Sequence, residues 1–231
     1  MCWSHSRPER ALTVTRANGY LLDQFLHDNV NVRDDAYGGS IENRSRFVLE
    51  VIEAVTKAVG AEKTGIRLSP YNYFQDTRDS NPNAHWAYLC EQIAKLPTEH
   101  RIAYVHMVEP RFDEVLDEAA KMSSLSETTV DSNSTEGKFS LIPFRKILQE
   151  GGVKFLAAGN FDKDNAAPKL ESDGADAIIF GRWFIANPDL PLRLAEGLPL
   201  NPYDRSSFYG ASPPSKGYVD YPFYQSVATV A

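Results

Sequence analysis

Two glycines close short apolar runs and are each followed by a polar donor. Gly159 precedes Asn160 after VKFLAA, and Gly181 precedes Arg182 after ADAIIF. Glycine lets backbone N–H groups close on an anion, and a guanidinium beside it adds a fork of charged donors. Gly159, Asn160, Gly181 and Arg182 therefore read as a phosphate site, the alternative being that both glycines merely end strands. Arg67, set between Ile66 and Leu68, carries a charge too costly to bury unpaired. It needs an anionic ligand or a carboxylate of the same protein, and its type alone does not choose. In ANGYLLDQF, Ala17 to Phe25, an amide (Asn18) and a phenol (Tyr20) precede a helical segment. Such a pair can bind an oxyanion and deliver a proton, whereas the plainer reading of Asn-Gly-Tyr is a turn with a packed tyrosine.

Other chemistries find little support. His5, His27, His85, His100 and His106 do not cluster with cysteines or carboxylates at ligand spacing, so no metal is expected. His106 reads as lining or packed within the fold, and Asp34 and Asp35 as surface or loop-capping residues. No GxSxG occurs and no Ser-His-Asp arrangement is legible. Cys2 and Cys90 make no disulfide framework, and the first ten residues lack an apolar signal core, so a cytoplasmic location is expected. Against 31 Asp and Glu stand 24 Lys and Arg, a formal net charge of -7, the wrong sign for a nucleic-acid partner. No run approaches the roughly 20 apolar residues that cross a bilayer, so no membrane partner is expected either.

The elements that must position these residues follow from periodicity. A chain of 231 residues, 42% hydrophobic, can bury a core. Val48, Val51, Ile52, Val55 and Val59 recur at helical spacing between Gly38-Gly39-Ser40 and Gly60, predicting a helix over 41–59. TGIRL, 64–68, predicts a buried strand, followed by a polar loop over 72–83. Trp86, Leu89, Ile93 and Leu96 mark a second helix ending at Pro97. Further strands are expected at 102–108, 153–157 and 175–180, with helices near 142–149 and 166–172. The stretch after Glu109-Pro110 reads as weakly helical to about Lys121, and the Ser- and Thr-rich 122–137 as a mobile surface loop. Asn187-Pro188-Asp189 and Gly197 frame a last helix.

Apolar strands alternating with helices imply an α/β fold with a parallel sheet covered by helices. A doubly wound sheet calls for a GxGxxG-type first turn, which is absent. A barrel places its polar site residues just past the strand C-termini, where Arg67, Gly159-Asn160 and Gly181-Arg182 fall. A barrel is the architecture expected.

Taken together, these segments resemble the old yellow enzyme family of flavin-dependent ene-reductases, its fungal members in particular. The resemblance rests on ANGYLLDQF, Arg33-Asp34-Asp35 with YGGSIENRSRF, IRLSP, AGNF, FGRWFIANPDL, YDRSSFY and GYVDYP, in that order from Ala17 to Tyr224. It implies a TIM (β/α)8 barrel carrying FMN that reduces the C=C bond of an enone or enal with NADPH or NADH. It also implies that Arg67 faces the flavin and that Gly159, Asn160, Gly181 and Arg182 hold the FMN phosphate. Asn18 would grip the substrate carbonyl, Tyr20 would protonate the α-carbon, and Tyr218 would be an aromatic of the substrate pocket.

Two departures qualify the match. Thr15 stands where the family has a histidine three residues before the asparagine. Residues 1–16 do not resemble the family, so the expected division is an unrelated segment, 1–16, and the C-terminal part of a flavin-binding barrel, 17–231. The expected fold is a partial TIM barrel lacking about the first half. Its alternatives in function are a catalytically inactive remnant and a partial barrel that needs a partner chain. Open strand edges lead one to expect an isolated polypeptide that is marginally stable, aggregation-prone or partner-dependent.

Overall fold

The computed structural model describes residues 12–113, 115–128 and 139–225. Strands and helices alternate: β1 (Leu12–Arg16), α1 (Leu21–Leu26), α2 (Ile41–Val59), β2 (Thr64–Leu68), α3 (Pro82–Ala94), β3 (Tyr104–Val108) and α4 (Glu118–Thr128). There follow α5 (Ile142–Glu150), β4 (Lys154–Ala158), α6 (Ala166–Glu171), β5 (Ala177–Ile179), α7 (Arg182–Ala186) and α8 (Leu190–Ala195). The five strands are parallel and lie in the order β1-β2-β3-β4-β5.

That order decides between the two architectures. A doubly wound sheet reverses direction at a switch point and takes helices on both faces. Right-handed crossovers that always step the same way lay their helices on one face instead. Here α3 packs on both α2 and α5, on one side of the sheet. The fold is α/β, an arc of five strands from the wall of a (β/α)8 barrel.

Successive side chains point to opposite faces of a strand, so the register sorts them. Ile66, Leu68, Val105, Met107, Phe155 and Ala157 face the helices and are fully buried. On the inner face Thr15, Arg67, His106, Leu156 and Ala177 align in one row across the five strands. Below that row the Tyr104 ring crosses Gly65, where an added Cβ would lie 2.3 Å from ring carbons, and its hydroxyl meets Thr13 Oγ1.

Helix α2 starts on Ser40, whose hydroxyl accepts the Asn43 N–H at 3.3 Å. Its buried face is Arg44, Ser45, Val48, Ile52 and Thr56, rotated from the valine stripe, and Val59 is exposed.

The region 122–137 is not a loop throughout. Residues 110–117 are non-helical where described, and α4 then runs to Thr128, while 129–138 lie outside the described residues. Asp117 Oδ1 accepts the Ala120 N–H at 2.8 Å at the helix start. One turn apart, Lys121 and Leu125 are fully buried, with the Lys121 ammonium 3.3 Å from Asp113 and 4.3 Å from the Tyr73 ring centroid. A serine-rich composition conceals a helix whose buried face includes a lysine. The polar segment 72–83 also holds a 3-10 turn, Phe74–Asp76, and the first turn of α3.

At the last helix the cap position belongs to Asp189 and not Asn187. Asp189 accepts from Arg193 Nε at 2.6 Å and from the Tyr224 N–H at 2.7 Å, while Asn187 bridges to Asn201. The sequence pattern does not predict α7, a five-residue helix that follows β5 directly.

Candidate active site

Beyond β1 the backbone takes positive φ at Asn18 (63°) and Gly19 (73°). Asparagine tolerates this region, and glycine is needed at 19 because an added Cβ would lie 2.4 Å from Phe74 O. The turn is clamped from three sides. The Asn18 N–H donates to buried Ser69 Oγ at 2.8 Å, the Gly19 N–H to Asp23 Oδ2 at 2.9 Å, and Gln24 Nε2 to Gly19 O at 2.7 Å. The Asn-Gly turn therefore forms as expected. Tyr20, at the N-cap of α1, is not packed beneath it but 56% exposed.

The two strand-end glycines differ in kind. Gly159 has φ 112°, and an added Cβ would lie 2.9 Å from Phe112 Cβ and 3.1 Å from the Glu109 nitrogen, so the backbone itself demands glycine. Gly181 has φ -95°, with nothing within 4 Å of an added Cβ. Neither its backbone conformation nor any neighbour requires glycine there. Beside it the Arg182 guanidinium stands 5.0 Å from the Phe112 ring centroid and 5.9 Å from that of Tyr203. The Asn160 amide, read from sequence as a donor toward an anion, is committed instead. Its Nδ2 donates to Glu118 Oε1 at 3.0 Å, and its backbone carbonyl accepts from Arg111 Nη2 at 3.1 Å and Asn165 Nδ2 at 3.0 Å. Asn160 is thus held as a wall of the site.

These strand ends border two adjoining cavities. The smaller, about 130 Å³, is lined by Arg67, His106, Phe112, Gly159, Asn160, Gly181 and Arg182 among others. The larger, about 590 Å³, is lined by Thr15, Asn18, Tyr20, Arg67, Gly181, Arg182 and Tyr218 among others. Each candidate site residue read from the sequence, Asn18, Tyr20, Arg67, Gly159, Asn160, Gly181, Arg182 and Tyr218, lines one cavity or both. Sequence reasoning missed Phe112, which only the fold brings in. It also missed Tyr203, Arg205, Phe208 and Tyr209, although they sit within the YDRSSFY segment.

The electrostatics of the pair are one-sided. Arg67, Arg182 and Arg205 contribute guanidinium groups, and no described carboxylate lines either cavity. His106, in register with Arg67, is 7% exposed. Burial, and then the Arg67 charge, push its imidazole down to about 3, so it is neutral at physiological pH. Its Nε2 is buried with no hydrogen-bond partner among the described residues.

A second constellation lies away from the cavities. Ser45 Oγ meets His85 Nε2 at 3.1 Å, His85 Nδ1 meets Asp79 Oδ2 at 2.9 Å, and Arg44 Nη2 donates to the same oxygen at 2.9 Å. The sequence does not reveal this Ser-His-Asp chain because its members come from two helices and the loop between β2 and α3. Ser45 and His85 are 0% exposed and line neither cavity. Burial pulls the His85 imidazole below its ordinary range. The cluster is an internal tie between α2 and α3.

Residues 11–201 match the NADH:flavin oxidoreductase / NADH oxidase family. The chain belongs to this family. It is the family of the old yellow enzymes, and the matched span includes β1, which the motif boundary at Ala17 leaves out. The chain is 67% identical over 208 residues to flavin oxidoreductase hxnT of Emericella nidulans, covering 90% of this chain and 52% of that protein. It is 40% identical over 212 residues to 12-oxophytodienoate reductase 2 of Arabidopsis thaliana, covering 92% and 50%. A solved structure of morphinone reductase in complex with tetrahydroNAD matches with a TM-score of 0.74 at 37% identity, covering 93% of this chain and 50% of that one. The chain spans about half the length of the relatives it matches.

FMN with a nicotinamide reductant is the chemistry of this family. The residues present fit FMN. The cavities are cationic, open space stands before Gly181, and a buried imidazole nitrogen awaits a partner beside Arg67.

Proposed function

We propose that residues 17–231 form the C-terminal part of a flavin-binding barrel, with β1 at its edge. The oxidoreductase so formed takes FMN and reduces the C=C bond of an α,β-unsaturated carbonyl compound with NADPH or NADH. The observation carrying this reading is convergence: Asn18, Tyr20, Arg67, Gly159, Asn160, Gly181, Arg182 and Tyr218, from widely separated segments, border two cavities that share Arg67, Gly181 and Arg182. No helix among the described residues is long and apolar enough to cross a membrane, and we assign the protein to the cytoplasm.

FMN, when bound, supplies the hydride. Gly159, Gly181 and Arg182, walled by Asn160, hold its phosphate, and Arg67 sets a positive charge against its ring system. Asn18 donates to the substrate carbonyl oxygen and draws electron density away from the β-carbon. Tyr20, with its side chain in the larger cavity, gives its phenolic proton to the α-carbon. Tyr218, whose hydroxyl accepts the Tyr209 N–H at 3.2 Å, packs against the substrate. Thr15 is a shorter donor than a histidine, which leaves Asn18 the larger share of the carbonyl grip.

The test is flavin retention and turnover. Under this reading the purified chain binds added FMN and consumes NADPH when cyclohexenone is supplied. A second reading, a remnant without turnover or a partial barrel completed by a partner chain, is favoured by the exposure of Thr13 and Thr15 on the inner face. It gives a protein inert to NADPH with or without FMN, or one active only when the complementary chain is added.

A further inference from the structure

Arg205 lines the larger cavity and not the smaller, and the reaction as proposed does not use it. It opens a 3-10 turn, Arg205–Ser207, in the segment that returns over the site after α8. That segment is pinned in place. The Asp204 N–H donates to the Tyr221 hydroxyl at 2.8 Å, and Arg193 Nη2 and Asn201 Nδ2 donate to Pro222 O at 3.0 and 2.9 Å. Gly217 allows the closure, because a Cβ there would lie 1.8 Å from Ser207 Oγ.

The carboxylates of this segment are engaged elsewhere. Asp204 Oδ1 accepts the Ser206 N–H at 2.9 Å and the Ser206 hydroxyl at 2.6 Å, and Asp220 Oδ1 accepts the Gly217 N–H at 2.9 Å. Among the described residues no carboxylate pairs with Arg205, and none lines the cavity. Phe208, its ring 5.6 Å from that of Tyr218, supplies an aromatic wall of the same cavity. In a chain of net charge -7, such a positive field is local to the cavity.

We propose that Arg205 is a specificity residue, selecting for the larger cavity a small molecule that carries a carboxylate or phosphate besides its reacting group. The inference rests on the reading of that cavity as the site of substrate and reductant. The anionic group has two possible sources, a carboxylate on the enone or the extra phosphate by which NADPH differs from NADH.

Calorimetric titration of the full chain separates them with two pairs of probes: 3-oxocyclohexene-1-carboxylate against its methyl ester, and NADP+ against NAD+. In at least one pair the more anionic probe binds roughly tenfold tighter, the scale of a charge-assisted hydrogen bond. That preference shrinks with added salt, Arg205→Gln brings it close to one, and Arg205→Lys keeps part of it. The pair affected names the source. No preference in either pair, or a preference that Arg205→Gln leaves intact, overturns the proposal. Arg205 is exposed, so the variants should keep the wild-type circular dichroism. FMN titration of the same protein, read by flavin fluorescence, tests the flavin reading separately: it can fail while the anion preference survives, and the reverse.

Discussion

The two faces of one sheet divide the protein's work. Toward the helices, Ile66, Leu68, Val105, Met107, Phe155 and Ala157 are fully buried hydrocarbon. One residue along each strand, on the inner face, stand Thr15, Arg67 and His106, polar groups that a sealed core would not hold without partners. The helix-covered face gains roughly 25 cal/mol for each Å² of apolar surface removed from water. The inner face gives up that gain to carry charge toward the cavities. Stability and chemistry are thus interleaved along the same five-residue strands, separated only by the pleat.

Substitutions at neighbouring positions test this division. Phe155→Ala, on the helix side, should cost about 3–5 kcal/mol in urea denaturation, and Leu156→Ala, half-buried on the inner side, less than about 2 kcal/mol. Equal losses would mean that the inner face is core as well. Tyr20→Phe should slow cyclohexenone reduction roughly 100-fold by removing the proton donor, with the thermal transition unmoved, since the ring is exposed. Activity surviving in that variant would move the proton donor elsewhere.

The glycine pair sharpens the contrast. Gly159→Ala should destabilise the fold by about 1–3 kcal/mol through backbone strain and the Phe112 contact. Gly181→Ala should change stability by less than about 0.5 kcal/mol while weakening FMN binding measured by fluorescence. The smallest effect near neutrality concerns His106. Its folded pKa of about 3 lies below the ordinary histidine value of about 6.5, so stability is full above pH 6.5 and is lost as pH falls toward 3. His106→Gln should flatten that part of the pH-stability curve, and an unchanged curve would place a charged imidazole in the folded site.

Much of the fold was legible because local signals agreed. Ser40 and Gly60 bracket α2, and TGIRL is β2 at its full length. Where signals depend on distant partners the reading failed. Helix α4 exists because Lys121 finds Asp113 and the face of Tyr73, which no periodicity announces. At the last helix Asp189 holds the cap position while its carboxylate accepts from Arg193 and from the backbone of Tyr224, a residue far along the chain. The Asn160 amide turns to Glu118 rather than to the cavity for the same reason.

By itself the sequence determined the alternation of strands and helices, the flavin-family motifs and the residue types at the strand ends, since these depend on near neighbours and side-chain chemistry. Only the tertiary structure decided that the strands lie in sequential order, that the backbone demands glycine at 159 while position 181 faces open space, and that Arg205 lines the larger cavity. Those outcomes depend on which surfaces meet across long stretches of chain, and that is settled when the sheet curves and the C-terminal segment closes over it.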